Sequence, residues 1–103
     1  MLQTFTAQTF SPHIGDTFRV FYDDSSALEM TLLSATEYGS ESAKEWSKKS
    51  QRTPFTLIFV GPPTPILPQR IYRLEQADMD PFELFLLPVG PGEQGMRYEA
   101  IFT

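Results

Sequence analysis

One histidine, His13, stands in the stretch SPHIG with Ser11 two positions before it and Asp16 three after. An imidazole beside a hydroxyl and a carboxylate is raw material for nucleophilic hydrolysis, because the acid orients the ring and the ring takes the hydroxyl proton. Here all three crowd into one expected turn, whereas such assemblies draw their members from separate elements. The spacing therefore predicts a capping or surface histidine rather than a base. Asp23 with Asp24, and Asp78 with Asp80, offer pairs for a hard cation such as calcium, but the spaced oxygen ligands and glycine of a calcium loop are missing. Turn chemistry accounts for both pairs. Glu29, Glu75, Glu83 and Glu99 could supply the two acids of a glycosidase, yet all fall on outer strand faces. Alternating with Arg73 and Arg97, they are expected to form cross-strand charge pairs worth up to about 1 kcal/mol each. The stretch GPPTP, 61–65, puts proline where a phosphate loop needs backbone amides.

The absence of cysteine removes disulfides, thiolate metal sites and thiol nucleophiles together. No catalytic residue, metal site or cofactor is assigned, and the expected function is not enzymatic. A net charge of −5 and a pI near 4.7 argue against nucleic acid and anionic membrane surfaces as partners, since both need a basic face. The basic grouping Lys44, Lys48, Lys49 and Arg52 is interleaved with Glu41 and Glu45 and reads as a solvated segment. No apolar run approaches the ~20 residues of a membrane helix. The opening MLQTFTAQTF lacks a basic start and an apolar centre, so no signal peptide is expected and the cytoplasm is the default location.

The elements that must carry these residues are short. The 103 residues suit a single β domain over 1–103 with one modest core, and the nine Phe and four Tyr fit a pleated interior. Thr6 can cap a helical turn in which Phe10 and Ile14 share a face, Pro12 limits its length, and Gly15 closes it in the left-handed conformation. A strand is expected from Thr17 to Tyr22 with Phe18, Val20 and Tyr22 on one side, then a DDSS turn and a second strand in which Leu28, Met30 and Leu32 alternate with Glu29, Thr31 and Leu33. Residues 39–52 read as a connection or short surface helix, with Trp46 folded back onto the core or, as the alternative, exposed as a partner anchor. In PFTLIFV both faces are apolar, as in a strand buried in a sheet or barrel.

Pro62, Pro63, Pro65 and Pro68 follow Gly61 and cannot donate ladder bonds, so this segment is read as a stiff crossing at one barrel end rather than a docking peptide. Strands are expected again from Arg70, through PFELFLLPV, and through MRYEAIFT, with VGPGEQG as a dense turn between the last two. The result is an all-β antiparallel barrel or compact sandwich of about six strands with a short N-terminal helical turn, closure being favoured because it removes edges. Phe21, Leu33, Phe85 and Leu87 fall opposite the assumed core, so together with Trp46 they are the expected partner-binding residues, for self-association or another protein. The alternative reading is a small-ligand-binding barrel.

The phrases PFTLIFVGP, LPQRIYRLEQ, FELFLLPVGP and GMRYEAIFT, with Phe10, Pro12, Gly15, Phe18 and Val20 near the start, resemble a family of small uncharacterised bacterial domains. The resemblance covers most of the chain apart from 39–52. It implies a structural or assembly role near phage-tail-like and tail-collar genes, and it supplies no catalytic residue.

Overall fold

Thr6 begins the first element: its amide donates to Thr9 Oγ1 at 3.0 Å, and the Thr9 amide donates to its carbonyl at 3.0 Å. These bonds satisfy donors that a helix start leaves open. Helix α1 (Ala7–Phe10) then tightens into a 3-10 turn, Ser11–His13, with Pro12 in its first positions. The structure, a computed structural model, describes residues 5–37 and 54–102. Gly15 reverses the chain at φ +92°, a region that side chains rarely enter, and its amide donates to the Leu32 carbonyl at 2.8 Å. Ile14 is 46% exposed while Phe10 is fully buried, so the two do not share a face as expected. The 3-10 turn is the reason, since it breaks the helical spacing that would have aligned them.

Six strands follow: β1 (Thr17–Phe21), β2 (Ala27–Glu37), β3 (Phe55–Gly61), β4 (Arg70–Gln76), β5 (Met79–Gly92) and β6 (Gly95–Phe102). They close in the order β1-β2-β3-β6-β5-β4, every neighbour antiparallel. The barrel is thus two three-stranded meanders joined twice, β3 to β6 over Phe55–Gly61 and β1 to β4 over Arg19–Phe21. Closure pairs both flanks of β1 and β4, the strands that would otherwise be edges.

The two-residue rhythm sends one face of each strand inward. Phe18, Val20, Leu32, Phe55, Leu57, Phe59, Leu74, Leu86 and Tyr98 are fully buried there. Each removes enough apolar surface to contribute about 1.5–3 kcal/mol. Phenylalanines close the end where β1, β3 and β5 begin. Phe10 on α1 lies 5.9 Å from Phe82, and Phe55 stacks on Phe102 at 4.3 Å. At the other end residues 62–69 cross the diameter, because β3 and β4 are opposite in the ring. Leu67 plugs that mouth at 4% exposure, while Ile66 beside it points out at 56%. The Leu67 amide donates to Tyr98 Oη at 2.9 Å, and the Tyr72 hydroxyl donates to the Pro68 carbonyl. Those bonds tie a segment whose prolines cannot join a ladder.

Strand β5 departs from expectation. It runs on past the expected end at Val89, through Pro91 to Gly92, and the turn shrinks to Glu93–Gln94. A register shift between Pro88 and Gly90, the latter at φ +118°, accommodates the prolines. Past Leu86, β5 pairs only with β6, so its other flank makes no demand for amide donors. Gly95 restarts the chain at φ +146°, and a Cβ there would sit 2.1 Å from the Gly61 carbonyl oxygen. Only glycine lets β6 approach β3 so closely.

Candidate interaction surface

His13 and Asp16 do meet: Nδ1 lies 3.0 Å from Asp16 Oδ2, with the imidazole edge-on to Phe18 at 6.3 Å. Gln76 Nε2, from the end of β4, donates to the same oxygen at 3.4 Å. The Asp16 carbonyl also accepts the Leu32 amide at 3.1 Å. Asp16 thus ties the N-terminal turn to β2 and β4, which gives the pair a structural duty. Ser11, the other partner considered, donates its hydroxyl to the Ala7 carbonyl at 2.9 Å instead. Of the turn acids, Asp23 Oδ1 accepts the amides of Ser25 at 2.9 Å and Ser26 at 2.7 Å. The Ser25 bond leads in holding its carboxyl below the ordinary value. Gln76 Oε1 accepts the Asp78 amide at 2.7 Å. No group of three or more His, Asp or Glu side chains converges as a metal site would require, among the described residues.

The outer wall of the barrel is more informative. On β1, Phe21 is half-buried between two guanidiniums, Arg19 and Arg73, each 5.2 Å from its ring centre. Cation–π attraction of this kind is worth about 0.5–1 kcal/mol at exposed sites. Arg73 also pairs with Glu75 along its own strand. The register does set Arg73 opposite Glu83, but its ion pair is with Glu75 rather than across the strands as expected. Arg97 stands opposite Val60 and Gly90, not opposite an acid. Beside Arg19 a shallow open groove of about 340 Å³ is lined by Thr17, Glu29, Glu75, Gln76 and Ala77. Where the β1–β4 ladder stops, Arg70 bridges the gap, donating to the Tyr22 carbonyl at 3.0 Å with its guanidinium over the Tyr72 ring. Loss of solvation raises the Tyr72 phenol above its ordinary pKa, so it stays a donor to Pro68.

Next along the wall, Ile71 on β4 faces Phe85 on β5. They are 60% and 47% exposed. Leu87 continues the β5 face, half-buried opposite Glu99 on β6. Leu33 lies elsewhere: it is the extra residue where the β2–β3 register shifts, 37% exposed, beside an open groove with Val60 and Arg97. Trp46 lies outside the described residues. The structure therefore gathers Phe85 and Leu87 on one wall, places Phe21 under two arginines on the same side, and separates Leu33 from them. Ile71 was missed by the sequence reading. Its signal was present in RIYRL: with Tyr72 and Leu74 inward, Ile71 must face out.

Residues 5–102 match the family model described as a domain of unknown function, DUF6916. The chain belongs to this family. No curated protein and no solved structure matches it. The match takes in the helical plug, the proline crossing and all six strands, so the wall carrying Ile71 and Phe85 lies inside the family domain. No helix is long and apolar enough to cross a membrane, among the described residues.

Proposed function

We propose that this member of the DUF6916 family is a noncatalytic structural or assembly protein that works through its outer wall, in a phage-tail-like setting. The observation that carries the reading is the Ile71–Phe85 pair, two large apolar side chains held bare on neighbouring strands of a closed barrel. Apolar surface displayed on a rigid sheet keeps its shape before a partner arrives, which lowers the cost of binding. The interior has a different role. Its inward side chains pack against each other and its two mouths are tied shut by Phe10 and by Leu67, so a ligand there would have to displace the core. His13 serves as a rim tie rather than a proton carrier. The tail-like setting follows from the resemblance of PFTLIFVGP and its companion phrases to a bacterial family met beside such genes.

The test is sedimentation with tail-like particles from the native host, which would carry the wild-type chain, His13→Gln or Phe85→Glu. Wild type and His13→Gln are expected to travel with the particles, and Phe85→Glu to stay behind. A wild-type chain that never sediments with particles would refute the tail setting. Loss in His13→Gln with retention in Phe85→Glu would refute the noncatalytic wall.

A further inference from the structure

The outer wall of β4 and β5 is ordered in rows across the two strands: Arg73 stands opposite Glu83, and the next outward row sets Ile71 opposite Phe85. Arg73 is held on the wall by Glu75 and the Phe21 ring. Glu83 is exposed and has no ion-pair partner, among the described residues. Rotating this wall by a half-turn about an axis parallel to its strands lays β4 of one copy over β5 of another and keeps each row at its place along the strand. Arg73 then faces Glu83 of the second copy, and Ile71 faces its Phe85. The pattern is self-complementary in charge and in apolar surface, as a two-fold interface must be.

We propose that a second copy of this chain docks face to face on the β4–β5 outer wall, related by a two-fold axis along the strands. The inference rests on the reading of that wall as an interaction surface and names its occupant. Ring closure supports a face contact: β4 and β5 pair with each other over Arg70–Gln76, and β1 and β6 take their outer flanks, so strand-to-strand addition has little free edge to use. Sheets that stack face to face lie about 10 Å apart, a gap that Phe85 and Ile71 side chains fill. The charge row then fixes the register, because sliding by one row would leave Glu83 over apolar surface.

Sedimentation equilibrium from about 1 to about 300 μM tests this, a range that captures micromolar dimers. Wild type is expected to dimerise, and Phe85→Glu to remain monomeric with unchanged circular dichroism. Arg73→Glu alone and Glu83→Arg alone each place like charges in register and should weaken dimerisation at least about tenfold. An equimolar mixture of Arg73→Glu and Glu83→Arg chains restores opposite charges across the interface and should recover affinity to within about threefold. Rescue by mixing cannot arise within one chain. The inference is overturned if wild type is monomeric throughout, if Phe85→Glu dimerises as well as wild type, or if mixing restores nothing. A monomeric wild type that still sediments with particles would sink the second copy alone and leave the assembly reading standing.

Discussion

Strands β3 and β5 both carry apolar residues on both faces, but their outer faces end differently. On β3, Thr56 and Val60 are each only 8% exposed. On β5, Phe85 is 47% exposed and faces Ile71, which is barer still at 60%. In sequence the outer faces differ by one charge, Glu83 in FELFLL against none in PFTLIFV. What separates them is covering: the β5–β6 turn and Leu33 rise around Val60, with Gly95 close enough that a Cβ there would touch the Val60 side chain. Among the described residues, Ile71 and Phe85 have no such cover and stay exposed. A strand that is apolar on two faces marks either a buried strand or a binding wall, and only the long-range geometry decides which.

The inner and outer faces can be set against each other by mutation. Phe59→Ala empties a fully buried position that packs on Phe18 at 5.4 Å, and should cost about 3–5 kcal/mol in chemical denaturation. Gly95→Ala strikes the joint between β3 and β6, where a Cβ collides with backbone that cannot rotate away. About 3 kcal/mol is expected, with loss of amide protection in β6. Tyr98→Phe removes only the acceptor for the Leu67 amide and should cost about 1–2 kcal/mol, seen as faster hydrogen exchange at Leu67.

Asp23 supplies a pH test at the β1–β2 turn. Its folded carboxyl lies below the ordinary value, 3.8, chiefly through the Ser25 amide. A depressed folded pKa means that the stabilisation is present above the unfolded value and is lost as pH falls through the folded one. Wild type should therefore lose stability relative to Asp23→Ala as pH drops below about 4, and the two should converge in acid. Smallest of all, Phe85→Ala should change the stability of the dilute monomer by less than about 0.5 kcal/mol. A cost like that of a buried residue would mean that β5, like β3, has its outer face covered.

Much of the fold was legible because period two runs through β1, β4 and β6 and the first parts of β2 and β5, and because Gly15 and the proline cluster mark positions with few conformational choices. Pro91 misled the reading of β5, which ended the strand at Val89. A proline's effect depends on whether a neighbour needs its missing amide, and beyond Leu86 only β6 is there. The pairing of Arg73 and Arg97 was misjudged for a related reason: alternation places a charge on a face, but register and rotamer choose its partner. The wall was half legible. Phe85 and Leu87 were identified from β5 alone, whereas Ile71 joins them only through the β4–β5 register, which no local pattern specifies.

Radical footprinting of the outer wall is the most direct measurement, comparing the dilute purified chain with the same chain in native-host extract. The account predicts that Ile71 and Phe85 lose several-fold in labelling in the extract while Leu33 and Ile66 keep theirs. Unchanged labelling at Ile71 and Phe85, with protection appearing at Leu33 instead, would contradict it.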